Sequence, residues 1–330
     1  MSTRGQESGS SFRAARSPAS PPALGSRRRS RAAASNRARP FADRLTALVE
    51  ERRSQICLGL DPDPASLPPD SAPGADLADV TERTSAAVFE QCRSLIETAG
   101  PACVAVKPQL ACFERLGTQG WWALDEVCRA AQRAGLLVVA DGKRGDVPVT
   151  ARAYGQALVG ETETPWGSIR GLSADAFTAN PLLGDDAIDV LVEAAAAAGA
   201  GMFLLVRTSN RGAARLQDAQ LGGHPMHEEL AALVSERADR LAGESGLSGL
   251  GAVVGATAPQ HLGRLRELMP VSVFLIPGIG AQGGNPEDLG PALAVGRPAS
   301  VLVAASRSIA GADDPAATAE ELRAAVWSLG

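Results

Sequence analysis

Eight short runs of apolar and β-branched residues recur along this chain, each expected to be followed by a helix, and that alternation limits the folds open to it. The runs are ICLGL (56–60), CVAVK (103–107), LLVVA (136–140), ADAFTA (174–179), MFLLV (202–206), AVVGA (252–256), VFLIP (273–277) and SVLVAA (300–305). Between them lie TERTSAAVFEQCRSLIETAG, WWALDEVCRAAQRAG, DDAIDVLVEAAAAAG and APQHLGRLRELMP, with Gly or Pro at their ends as stop signals. Strands that are apolar at nearly every position are buried on both faces, as in a parallel sheet covered by helices. Eight such units, each strand followed by a helix, predict an α/β fold closed as a (β/α)8 TIM barrel. An open, doubly wound sheet is the competitor, because GIGAQG (278–283) spells G-x-G-x-x-G after a strand. That run follows the seventh strand instead of the first, and no acid ends a following strand about 20 residues on to take a ribose, so the dinucleotide reading is rejected.

The folded body begins with FADRLTALVEERR, whose Phe41, Leu45, Leu48 and Val49 recur at helical spacing. Before it, residues 1–40 hold nine of the 32 basic residues, all arginine, and one of the 37 acids, Glu7. Rich in Arg, Ser, Pro and Ala and lacking an apolar core, this stretch is expected to be a disordered tail, with residues 41–330 forming the barrel domain. An Arg/Ser-rich start also fits a transit peptide or an RNA-binding arm. The acidic body, with 4% aromatics and one tyrosine, Tyr154, has little with which to stack bases, so nucleic acid is not expected as its partner. No apolar run approaches the ~18–20 residues that cross a bilayer. Cys57, Cys92, Cys103, Cys112 and Cys128, odd in number and without a C-x-x-C pair, are expected to be buried thiols of a reducing cytoplasm. His224, His227 and His261 are too few and too scattered for a metal site, and no metal is expected.

In such a barrel the active site gathers at the C-terminal ends of the strands. Those ends carry Asp61, Lys107, Asp141 with Lys143, Asn180, Thr208 with Ser209, PGIGAQGG and Arg307. Lys107 and Lys143 are the chain's only lysines. Arginine cannot release its proton near neutrality, whereas lysine is a compact ammonium that can act as an acid. A composition that otherwise favours arginine keeps lysine where the exchange would fail. Asp141 and Lys143 are two apart, so on an extended strand end they face the same side. Asp146 completes D-x-K-x-x-D, and Pro148 and Thr150 open the next helix. The glycines of PGIGAQGG let backbone N–H groups converge on an anion, and Arg307 adds a fork of donors. Loops after strands seven and eight are the usual phosphate site of these barrels, so a phosphorylated substrate is expected.

Together these segments resemble the orotidine 5'-monophosphate decarboxylases, in particular their longer bacterial branch. The likeness covers residues 41–325 and rests on LGLDPDP, VKPQLACFE, ADGKRGDVPVT, ADAFTANPLLG, VRTSN, PGIGAQGG and SRSI. It implies a lyase that needs neither metal nor cofactor and removes CO2 from C6 of the orotate ring of orotidine 5'-monophosphate (OMP) to give UMP in pyrimidine biosynthesis. By motif, Lys107, Asp141, Lys143 and Asp146 match the family's charged tetrad, and the resemblance implies a homodimer in which Asp146 reaches into the partner's site. In that scheme Lys143 stabilises the carbanion at C6 and protonates it, Asp141 lies beside the departing carboxylate, and Lys107 holds the charges in register. Asp61 and Thr150 resemble the ribose contacts, Ser209 the pyrimidine contact, and Gln282 and Arg307 the phosphate contacts, beside Gly278, Gly280 and Gly283.

Arg211 departs from the family pattern, which has Pro after TSN; this bears on the shape of a lid over the pyrimidine. Residues 208–228 are expected to form the closing loop. Asn180 is either a site residue or a turn residue before Pro181. Two alternatives stand beside this reading. One is a magnesium-dependent sugar-phosphate decarboxylase or aldolase of the same barrel superfamily, disfavoured by Lys107 and the TSN segment. The other is a non-catalytic phosphate-binding barrel whose basic tail docks nucleic acid, disfavoured by the intact tetrad.

Overall fold

The computed structural model describes residues 39–67, 79–280 and 282–330, so most of the expected tail, residues 1–38, lies outside the described residues. Eight parallel strands close into the expected barrel: β1 (Ile56–Leu60), β2 (Ala105–Pro108), β3 (Leu137–Arg144), β4 (Ala176–Ala179), β5 (Gly201–Arg207), β6 (Ser248–Val254), β7 (Ser272–Pro277) and β8 (Val301–Ala305). Each strand pairs with its neighbour in sequence, and β1 closes on β8 with Ile56 opposite Val303. All eight apolar runs are barrel strands. The largest shift is in β6, which starts at Ser248, ahead of AVVGA. There the buried Ser248 hydroxyl donates to the Ala238 carbonyl at 2.6 Å and accepts from the Leu250 N–H at 3.0 Å.

Helix α1 (Phe41–Arg52) precedes β1, and the strands are linked in order by α2 (Val80–Ala99), α3 (Gly117–Arg133), α4 (Pro148–Leu158), α5 (Asp185–Ala198), α6 (Met226–Glu236) and α7 (Leu262–Leu268), with α8 (Pro315–Trp327) after β8. Asp79 starts α2 by accepting the N–H groups of Thr81 and Glu82 at 2.8 and 2.9 Å, and Gly199, left-handed at φ 60°, stops α5. One expectation fails at β7. A 3-10 segment, Pro286–Ala292, follows it in place of an α-helix, because Pro291, inside the segment, lacks the N–H that a helix ladder needs.

One apolar cluster joins the outward strand faces to the helices, and a second fills the barrel. Helix α1 belongs to the second and closes the N-terminal end of the barrel. Phe41 meets Phe203 edge-on with ring centroids 5.9 Å apart. A β-carbon on Gly201 would come within 2.5 Å of the Phe41 ring, so only glycine fits there. Arg44 adds a buried ion pair with Asp175, whose other oxygen accepts the Val138 N–H at 2.9 Å. With this end sealed, the C-terminal mouth is the open one.

Two antiparallel hairpins, Glu161–Thr164 with Gly167–Arg170 and Gln220–Leu221 with His224–Pro225, were not expected from the sequence. Their residues are mostly exposed and short of apolar alternation, so periodicity carries no trace of them. All five cysteines are free, four of them buried and Cys112 half-buried. Among the described residues no helix is long and apolar enough to cross a membrane.

Candidate active site

The centre of the mouth is the carboxylate of Asp141, at the end of β3. Its Oδ2 accepts from Lys107 Nζ at 2.6 Å and from Gln109 Nε2 at 3.3 Å, both on the β2 side. Its Oδ1 accepts from Lys143 Nζ at 2.7 Å and from the Thr178 hydroxyl, on β4, at 2.8 Å. Burial by itself would raise the Asp141 pKa, but Lys107 and Lys143 outweigh it and hold the carboxyl well below the usual range. Burial would likewise lower the Lys107 ammonium, but Asp141 and then Asp61 outweigh it, and the net shift is upward. Lys107 is therefore a fixed cation and a poor acid at neutral pH. Lys143 differs from it in access, since its side chain is 42% exposed and faces the cavity.

Lys143 reaches Asp141 by another route than regular strand alternation. The pairing of β3 with β4 shifts register between Ala140 and Arg144, and Lys143 sits in the left-handed region at φ 48°. The two-residue spacing named the right neighbours, but a bulge brings them together. Such a conformation is uncommon for a residue with a β-carbon and tends to mark functional sites.

Around this array lies a cavity of about 700 Å3. Asp61, Lys107, Asp141, Lys143, Ser209, Gly278, Gln282 and Arg307 all line it, as does Asn180. Ser209 donates to Gln282 Oε1 at 2.8 Å, joining the loops after β5 and β7. Arg307 opens the short helix Arg307–Ala310, is exposed, and has no acidic partner among the described residues. Asn180 serves the turn as well, its Oδ1 accepting the Leu182 N–H at 3.1 Å.

Asp146, Thr150, Gly280 and Gly283 do not line the cavity. Asp146 is half-buried and accepts the Val147 N–H at 2.8 Å, while Thr150 is exposed on α4. In the glycine loop, Gly278, Gly280 and Gly283 have φ of 105°, 73° and 91°. The amides of Gly280, Gly283 and Gly284 donate to the carbonyls of Gly284, Gly280 and Gly278 at 3.0, 2.8 and 2.9 Å. These glycine amides fold the loop on itself instead of converging on an anion. Gln109 and Thr178 were missed in the sequence. The signal that could have found Thr178 is a hydroxyl within an otherwise apolar strand, since a buried hydroxyl needs a partner.

The 208–228 stretch contains the short helix Ala213–Gln217 and one hairpin, and α6 already begins at Met226. Thr208, Ser209, Asn210, Leu216, Gln217 and Met226 line the cavity, and Arg211 is exposed away from it. Arg207 anchors its base by gripping Asp218 with both arms, at 2.7 and 3.0 Å. Two of the histidines that look scattered in the sequence join this anchor. His227 is buried on α6 with Nδ1 3.2 Å from Asp218, and His261 stands with its ring centroid 4.5 Å from that of His227. Burial and then His227 push the His261 pKa down. Ligand atoms of Asp218, His227 and His261 lie within 4.8 Å of one another. However, Arg207, always charged, already occupies both Asp218 oxygens and would repel a metal ion. The ion pair is between Arg207 and Asp218, and His227 Nδ1 lies 2.8 Å from the Gln217 carbonyl beside it.

Fold and site together define a (β/α)8 barrel whose mouth sets a carboxylate between two ammonium groups and faces an unpaired arginine across a cavity of small-metabolite size. Residues 54–322 match the orotidine 5'-phosphate decarboxylase / HUMPS family. The chain is 41% identical over 258 residues to orotidine 5'-phosphate decarboxylase of Rhodopirellula baltica, covering 77% of this chain and 82% of that protein. It is 37% identical to the Deinococcus radiodurans protein of the same name, covering 82% and 88%. The structure of Leishmania donovani OMP decarboxylase aligns with a TM-score of 0.67 at 32% identity, over 88% of this chain and 98% of that one. Leishmania donovani UMP synthase aligns with a TM-score of 0.69 at 34% identity, and this chain spans 56% of its length. The chain belongs to the orotidine 5'-phosphate decarboxylase / HUMPS family.

Proposed function

We propose that this barrel converts OMP to UMP and CO2 without metal or cofactor, with Lys143 meeting the reacting carbon. The observation that carries the reading is Asp141 clamped at 2.6 and 2.7 Å between the chain's only two lysines, one buried and one open to the cavity. Arg307 and Gln282 would take the phosphate, with Gly278, Gly280 and Gly283 shaping the loop around it. Asp61 would meet the ribose and Ser209 the pyrimidine. With the phosphate and ring anchored, C6 lies over Lys143 and the substrate carboxylate beside Asp141. The bond from C6 to the carboxylate breaks, CO2 leaves, and the electron pair stays on C6. The Lys143 ammonium opposes that charge, then gives C6 a proton and recovers one from solvent. Lys107, locked as a cation, keeps Asp141 ionised, so the charges stand ready before the substrate arrives. Release of CO2 from OMP in the presence of EDTA tests this reading, and Lys143→Ala should abolish it. Activity that dies with chelation would favour the magnesium-dependent alternative.

We also infer a homodimer with shared sites, in the cytoplasm. Asp146 and Thr150 lie outside the lining of their own cavity, which supports their serving the partner's. Beside them, Val147 and Val149 are 57% and 85% exposed, an apolar patch suited to a second subunit. Five free cysteines support a reducing compartment. Residues 41–330 would form the catalytic unit, and deletion of residues 1–40 should leave turnover unchanged.

A further inference from the structure

We infer that Thr178 is a positioning residue for the reacting lysine: its hydroxyl fastens the left-handed backbone of Lys143 to the carboxylate of Asp141. The inference rests on the decarboxylase reading of the same site. Thr178 Oγ1 accepts the backbone N–H of Lys143 at 2.9 Å and donates to Asp141 Oδ1 at 2.8 Å. That oxygen is the one Lys143 Nζ holds at 2.7 Å. A ring therefore closes from the lysine amide through the threonine hydroxyl and the carboxylate oxygen to the lysine ammonium.

The direction of each bond is forced. An ionised carboxylate only accepts, so the single hydroxyl proton points to Asp141 and a lone pair is left for the Lys143 N–H. Thr178 lines the cavity but is 1% exposed, and with its single hydroxyl proton committed to Asp141 it has none left to donate to the substrate.

The backbone explains why the fastening is needed. The β3–β4 ladder lapses between Ala140 and Arg144 and resumes where the Asn180 N–H donates to the Arg144 carbonyl at 2.8 Å. Within that gap the Lys143 amide has no ladder partner, and its φ of 48° is costly for a residue with a β-carbon. A side chain of the neighbouring strand supplies the missing bond. Because threonine is β-branched, its hydroxyl has few rotamers to choose from, so the bond is set by the strand. The lysine's aim is thus fixed before the substrate binds, which is the condition for charge stabilisation without reorganisation.

Thr178→Val keeps the shape and removes the hydroxyl. It is expected to lower kcat for OMP on the order of ten- to a hundredfold, the loss of one hydrogen bond to a charged group. KM and the Kd for UMP should stay within about threefold, because the anchoring groups are untouched. Thr178→Ser should recover kcat to within about threefold of wild type, which a loss of packing would not allow. A valine variant with wild-type kcat, a loss carried by KM alone, or a serine variant that folds yet is as slow as valine would overturn the inference. If the valine variant does not fold, Thr178→Ala is measured in its place, with UMP affinity reporting the fold and the same split expected. A wild-type protein unable to turn over OMP would bring down the decarboxylase reading and this inference with it. That outcome is distinct from a valine variant as fast as an active wild type.

Discussion

Replacing Lys143 by alanine and, separately, by glycine removes the same ammonium group but treats the backbone differently. Both variants leave Asp141 with Lys107, Gln109 and Thr178, and both lose the contact at 2.7 Å. The electrostatic loss is common to the two and cancels when they are compared. What remains is the φ of 48° at residue 143. Alanine keeps a β-carbon in the left-handed region at roughly 1–2 kcal/mol, which glycine avoids. Glycine in turn gives the unfolded chain more freedom, which costs roughly 0.5–1 kcal/mol. The glycine variant should therefore be more stable than the alanine variant by an amount centred on ~0.75 kcal/mol, or about 1 °C in Tm for a chain of this size. Urea unfolding of both at neutral pH, followed by far-UV circular dichroism, measures the difference, provided the two m values agree. At an ordinary strand position the order would be the reverse. An alanine variant as stable as the glycine variant would refute the claim of strain at this residue. Turnover should be lost in both, separating what Lys143 does for the reaction from what its backbone costs the fold.

The folded-state pKa of Asp141 lies below its ordinary 3.8, so its charge contributes stability in full above that value and the contribution is lost as pH falls below it. Urea midpoints should show a flatter acid limb in Asp141→Asn than in wild type; matching limbs would contradict the shift. Lys107 has the opposite sign, contributing in full below its ordinary 10.5 and losing that as pH rises beyond it, so Lys107→Met should flatten the alkaline limb instead. Arg307→Ala should weaken UMP binding by ~2–5 kcal/mol in calorimetry, as for a charge pair buried by the ligand, and leave uridine binding unchanged. Equal loss for uridine would remove Arg307 from the phosphate site. Mixing Lys143→Ala with Asp146→Ala subunits should restore some turnover, because one site of the mixed dimer regains both groups. No recovery at any ratio would argue against a shared site.

Much of the site is legible in the chain because strand ends can be counted once the barrel is recognised. Lys107, Asp141, Lys143, Ser209, Gln282 and Arg307 come from five strand ends, and each lines the one cavity. The hidden partners are those whose part depends on the strand next door. Thr178 belongs to an apolar run and reads as core, and its hydroxyl becomes informative only when β4 is laid beside the bulge of β3. Gln109 likewise reads as a loop residue until its amide is seen 3.3 Å from Asp141. His227 and His261 are 34 positions apart in the numbering, and α6 with the turn after β6 brings their rings together.

The sequence by itself determined the barrel, its open end and the identity of the charged groups, because burial on both strand faces leaves an apolar imprint that needs no partner to be read. The tertiary structure alone decided how those charges are aimed. The bulge at Lys143 and the placing of Lys107, Gln109 and Thr178 around Asp141 each depend on contacts between segments distant in the chain. Local pattern carries no record of such contacts, since a hydrogen bond is selected by distance and direction in space and not by spacing along the backbone.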